Sequence, residues 1–152
     1  MAARPRRGTV LSLDAMIARL RLMLADIAAK ETQLEGLRHQ YREQRKRVVG
    51  HALYSETSLE TSLGLLDDIA ERLRAAETRM EHLRMIRHKA ETELESLQLT
   101  RGVELAKAEL ARLQQQRADS GDASAEVEEE MRRLQTLINE ASEQAARSIE
   151  RR

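Results

Sequence analysis

From Leu13 a side chain suited to a helix seam returns every seventh position without a miss: Leu13, Leu20, Ile27, Leu34, Tyr41 and Val48. Ile17 and Leu24 fill the intermediate position. One side of residues 11 to about 50 thus carries the alternating four-and-three spacing of an amphipathic helix that meets another helix along a narrow seam. The rest of the chain offers no competing kind of core. Among 152 residues there is no Phe and no Trp, and the only aromatic side chains are Tyr41 and Tyr54. Compact domains bury much of their area in aromatic rings; here Leu, Ala, Ile and Met must do the packing while 34% of residues are charged. A single Pro, at position 5, and six Gly leave few helix breakers. The combination predicts long helices or a coiled coil.

Three segments follow from the interruptions. Gly50 opens the stretch GHALYSETSLETSLG, rich in Ser and Thr, and within it TSLE has the form of a capping box with Thr57 as N-cap and Glu60 three residues on. The word ETSL occurs twice in succession there. A second helix then shows Leu66, Ile69, Leu73, Ala76, Met80, Leu83, Ala90, Leu94 and Leu97 at seam spacing, with Arg87 as an intruder. Beyond Leu99 the apolar set changes phase to Val103, Ala106, Leu110 and Leu113, close to Gly102. RADSGDAS is the strongest linker signal, with Asp122 or Ser124 as the natural cap of a last helix. That helix carries Val127, Met131, Leu134, Ile138, Ala141, Ala145 and Ser148 in register, acids in its first turn and arginines at its end, as the helix dipole favours.

Lengths decide how these pieces meet. At 1.5 Å per residue the first helix spans about 60 Å, the second about 90 Å and the third about 40 Å. Folding at the first turn sets Leu13 level with residues 94–97, and folding at Gly121 sets 141–149 level with 92–100. The second helix therefore changes partner near residue 100 and is expected to run on through Gly102, at a cost of about 1 kcal/mol. The expected architecture is an all-α, elongated antiparallel coiled coil of three helices at 9–53, 57–118 and 123–150. A disordered basic arm at 1–8 precedes a long antiparallel helical hairpin at 9–118, and 119–152 is a turn and C-terminal helix folding back on the end of the second. A further row on the first helix, Leu11, Ala15, Ala18, Leu22, Ala25 and Ala29, lies nearly opposite the seam. It has two candidate covers, the Ala141 and Ala145 face or another copy of the chain.

Charge and chemistry narrow the function. The 26 basic and 26 acidic residues balance, so no overall field draws the protein to nucleic acid or anionic membrane. The local exception is RHQYREQRKRVVGH at 38–51, where Arg38, Arg42, Arg45, Lys46 and Arg47 surround Glu43. Folding at the turn is expected to set this run across from Glu60, Asp67 and Asp68. Nucleic-acid readers usually add aromatic platforms or a helix-turn-helix, and here the aromatic residue in the run sits in the seam. A second run, RMEHLRMIRHK at 79–89, spreads its cations around the helix.

Cysteine is absent, which excludes disulfides and thiolate chemistry. His39, His51, His82 and His88 form no paired Glu-x-x-His units of the kind that hold metals in bundles. No phosphate loop or catalytic triad spacing occurs. Asp14, Arg19 and Arg21 interrupt the apolar run near the start, so the chain reads as cytoplasmic with neither a secretory signal nor a membrane span.

The expectation is a non-enzymatic scaffold or adaptor, without cofactor, metal or small-molecule substrate, that binds a protein partner or itself as a homodimer. Its partner-binding residues would be Arg42, Arg45, Lys46, Arg47, His51 and Tyr54 at the first turn. Binding of the DNA backbone through the same tip is one alternative. An assembly chaperone or secretion-apparatus stalk is another, on architecture alone.

Overall fold

The computed structural model describes residues 12–120 and 124–150. It contains three helices, α1 (Leu13–Tyr54), α2 (Leu59–Ser120) and α3 (Ala125–Glu150), and among the described residues no strand. The fold is all-α, with α1 packed on α2 and α2 on α3. The expected basic arm at 1–8, Leu11, and the linker residues Gly121 and Asp122 lie outside the described residues.

Each helix begins on a serine. The Ser12 hydroxyl accepts from the Ala15 N–H at 3.2 Å, Ser58 from Thr61 at 3.2 Å, and Ser124 from Val127 at 3.3 Å. Each bond satisfies one of the donors that a helix N-terminus leaves open. Ser124 is one of the two expected caps. Thr57 is not a cap. Its hydroxyl is 2.9 Å from that of Ser55, and with Ser58 as N-cap Glu60 falls one position short of closing a capping box. At the other side of this turn α1 runs through Gly50 and ends only at Tyr54. There the Ser55 N–H and hydroxyl both donate to the His51 carbonyl, at 2.9 and 2.5 Å.

The chain's contacts divide into two units, 22–90 and the set formed by the described residues of 1–21 with 91–152. In the unit of 22–90, α1 and α2 run antiparallel. Glu31 meets Arg87 at 2.6 Å, and seven residues later on α1 Arg38 meets Met80, seven residues earlier on α2, at 3.6 Å. Ile27, Ile69, Leu73, Ala76 and Ala90 are buried in the seam, with Ser62 buried toward the turn. Arg87, the intruder in the apolar pattern, is answered by a carboxylate at the corresponding seam position of α1.

In the second unit Ala106, Leu113, Leu134 and Ile138 form a core, with Val103, Leu110 and Met131 against it. Arg117 of α2 and Glu128 of α3 pair at 2.9 Å on its rim. The phase change past Leu99 is thus the face α2 turns to α3. The start of α1 joins α2 just before it: Asp14 pairs with Arg101 at 2.5 Å, and buried Ile17 shares a groove with Gln98, Arg101, Gly102 and Leu105. α2 is continuous through Gly102.

One expectation needs correction, and one of the two candidate covers of the Ala row falls away. The Asp14–Arg101 pair sets the start of α1 between one and two turns further along α2 than residues 94–97. α1 ends at Tyr54 rather than 53 and α2 begins at Leu59 rather than 57, so the turn falls later in the chain than expected. Ala15 and Ala18 are exposed, so α3 does not cover them. Leu22, Ala25 and Ala29 of the same row are also exposed.

Candidate functional site

The final turns of α1 carry the residues expected at the site. Arg42, Arg45, Lys46, Arg47, His51 and Tyr54 are all exposed, Tyr54 at 91%. They do not form one surface. Helical spacing puts Arg42 and Lys46 on one flank and Arg47, His51 and Tyr54 on the other, while Arg38 and Arg45 fall on the seam positions seven and fourteen residues after Glu31.

Neutralisation across the hairpin does not occur as expected. Lys46 pairs with Glu43 at 3.3 Å and Arg38 with Glu35 at 3.3 Å, both within α1. Among the described residues no ion pair joins Arg42, Arg45 or Arg47 to Glu60, Asp67 or Asp68. The intervening seam explains this, since Arg42 and Lys46 lie on the outer flank of α1 and Glu60 and Asp67 on the outer flank of α2. The second basic run is answered locally: Arg84 bonds Glu81 at 2.7 Å and Arg87 bonds Glu31.

The residues that sequence reasoning missed are apolar. Val49, Leu53, Leu59 and Leu63 are exposed at the turn, Leu53 at 71% and Leu59 at 70%. Val49 and Leu53 continue the flank of Arg42 and Lys46, one turn at a time. Leu59 and Leu63 hold the same place in the repeated word ETSL, so the repeat sets two leucines one turn apart on α2. It also sets Ser58 and Ser62 in register, one as cap and one in the seam.

In an antiparallel pair, positions displaced in the same rotational sense from both seams fall on one face of the pair. By that geometry Val49, Leu53, Leu59 and Leu63 share a face. The reverse face is marked by a groove that Gln33 and Lys30 of α1 line together with Arg79 and Leu83 of α2. Further from the turn on this face, α1 supplies a basic row of Arg42 and Lys46. α2 supplies an acidic outer row of Glu60, Asp67 and Glu71, which ends at Arg74.

Other chemistry is sparse. Among the described residues no group of three or more His, Asp or Glu could hold a metal ion, and no helix is long and apolar enough to cross a membrane. The resolved charge perturbations lie elsewhere. A hydrogen bond from Arg112 holds the Glu109 carboxyl below its ordinary range, and one from Arg133 does the same for Glu130. Both are two-pronged pairs one turn apart on exposed helix surfaces.

No protein-family profile, curated protein or solved structure matches this chain.

Proposed function

We propose that this protein is a non-enzymatic scaffold, built on antiparallel coiled-coil packing and working in the cytoplasm, whose docking surface is the turn between α1 and α2. The observation that carries this reading is the group of exposed side chains Val49, Leu53, Leu59 and Leu63 at the end of a capped hairpin. Isolated exposed leucines need no explanation, but apolar side chains gathered on one face with charged borders have the form of a binding surface. The hairpin holds that face without rearrangement, which limits the ordering cost of docking. Self-association as a homodimer is the mode this reading favours.

The test is sedimentation or light scattering of the full chain across micromolar concentrations, beside a Leu53→Gln/Leu59→Gln variant. Both residues are exposed, so the variant is expected to keep its helical circular dichroism and lose association. Retained association would move the docking surface away from the turn.

Binding of the DNA backbone by the tip is a second reading, supported by the guanidinium groups of Arg42, Arg45 and Arg47, which have no ion-pair partner among the described residues. It predicts an affinity for duplex DNA that falls steeply with salt. Arg42→Glu/Arg45→Glu/Arg47→Glu would abolish that affinity.

A further inference from the structure

We propose that the occupant of the apolar face at the α1–α2 turn is the same face of a second copy, with the two hairpins side by side and their turns pointing the same way. This deepens the scaffold reading and rests on it. The argument is charge complementarity about a two-fold axis. A two-fold interface is isologous, so each patch must complement itself.

On this face Val49 and Leu53 continue the basic row of Arg42 and Lys46 toward the turn, and Leu59 and Leu63 lie beside the acidic row of α2. If the two-fold axis lies parallel to the helices, α1 of one copy stands over α2 of the other. The basic row then meets the acidic row on both sides, and Leu53, Leu59 and Leu63 of the two copies meet nearer the turn. If the axis instead crosses the helices at the level of these leucines, the turns point opposite ways and the basic row of each copy is carried to or past the other copy's turn, away from its acidic row.

Height along the hairpin agrees with the first arrangement. The four-residue turn at 55–58 and the Arg38–Met80 contact place Lys46 within about a turn of Asp67, and Arg42 within about a turn of Glu71. A parallel two-fold axis preserves height, so these pairs meet across the interface. Arg74 ends the acidic row on the side away from the turn, which confines the complementary zone to the hairpin tip. None of Arg42, Asp67 and Glu71 has an ion-pair partner among the described residues, so docking breaks none of theirs.

Charge exchange tests this in the full-length chain. One variant carries Arg42→Glu and Lys46→Glu, the other Asp67→Lys and Glu71→Lys. All four side chains are exposed, and circular dichroism checks that both variants keep the helical fold. Each alone faces like charges on both edges and is expected to self-associate roughly 100-fold more weakly than the parent chain. Mixed in equal amounts, the two restore opposite charges on both edges and are expected to form a one-to-one heterodimer, read by native mass spectrometry or sedimentation.

A parent chain that dimerises while both variants dimerise equally well overturns the proposed face but leaves the self-associating scaffold intact. Variants that are monomeric and stay monomeric when mixed overturn the parallel arrangement. A parent chain that is monomeric at about 100 µM overturns both the face and the self-association reading.

Discussion

Individual residues set the ends of these helices and their weakest internal points. Gly36 and Gly102 lie inside helices, and a Cβ added at either meets nothing within 4 Å. Neither glycine is required by a close approach, so each costs the helix backbone entropy without a compensating contact. Gly36→Ala and Gly102→Ala should each stabilise the protein by about 0.5–1 kcal/mol, read as a higher midpoint in urea unfolding. An unchanged or lowered midpoint would show that a partner approaches the backbone there. The caps act in the opposite direction. Ser58 bonds the Thr61 N–H while Thr57 bonds Ser55. Ser58→Ala should therefore cost about 1 kcal/mol and Thr57→Ala distinctly less. The reverse ranking would return the cap to Thr57.

At the scale of elements, the seam was legible because period is a property of sequence. Leu13 to Val48 and Leu66 to Leu97 announce two helices, and the phase change at Leu99 announces a different neighbour for the rest of α2. The level at which the helices pair was less legible, because it depends on where α1 stops. Gly50 resembles a stop but has open space around it, and the two bonds from Ser55 to His51 end the helix instead. The basic half of the candidate surface was visible as a charge run. Its apolar half was not, since leucines in a Leu-rich chain become notable only once α1 and α2 place them on one face. The seam's polar positions are also a matter of pairing. Glu31 and Arg87 retain 24% and 38% side-chain exposure, so their bond contributes about 1 kcal/mol rather than the larger value of a dry pair. Arg87→Leu leaves Glu31 without this guanidinium and should destabilise by about that much. The double change with Glu31→Leu should recover the loss, as replacing a whole ion pair by apolar side chains often does. A double variant no more stable than Arg87→Leu alone would mean that the pair does not act as a unit.

For the whole molecule the question is whether the two contact units melt together. Each has its own buried residues: Ile27, Ile69, Leu73 and Ala76 in one, Ala106, Leu113, Leu134 and Ile138 in the other. Acid should act unevenly on them, because the depressed carboxyls of Glu109 and Glu130 both belong to the second. A lowered folded-state pKa contributes stability above the ordinary carboxylate range, and that contribution is lost as pH falls through the lowered value. Hydrogen exchange should thus show protection around 103–117 and 127–147 falling as acid protonates these two carboxylates, with Arg112→Gln and Arg133→Gln reducing that pH dependence. A core substitution makes the sharper comparison. Ile138 is 7% exposed and packed with Ala106, Leu113 and Leu134, so Ile138→Ala should cost about 2–4 kcal/mol. If the units have separate stabilities, the added exchange will appear in α3 and in α2 beyond Val103. Amides of 27–34 and 69–83 will then keep their parent rates. Equal acceleration at all these amides would show one cooperative unit, in which α1 and α2 carry strain at α3 along their whole length.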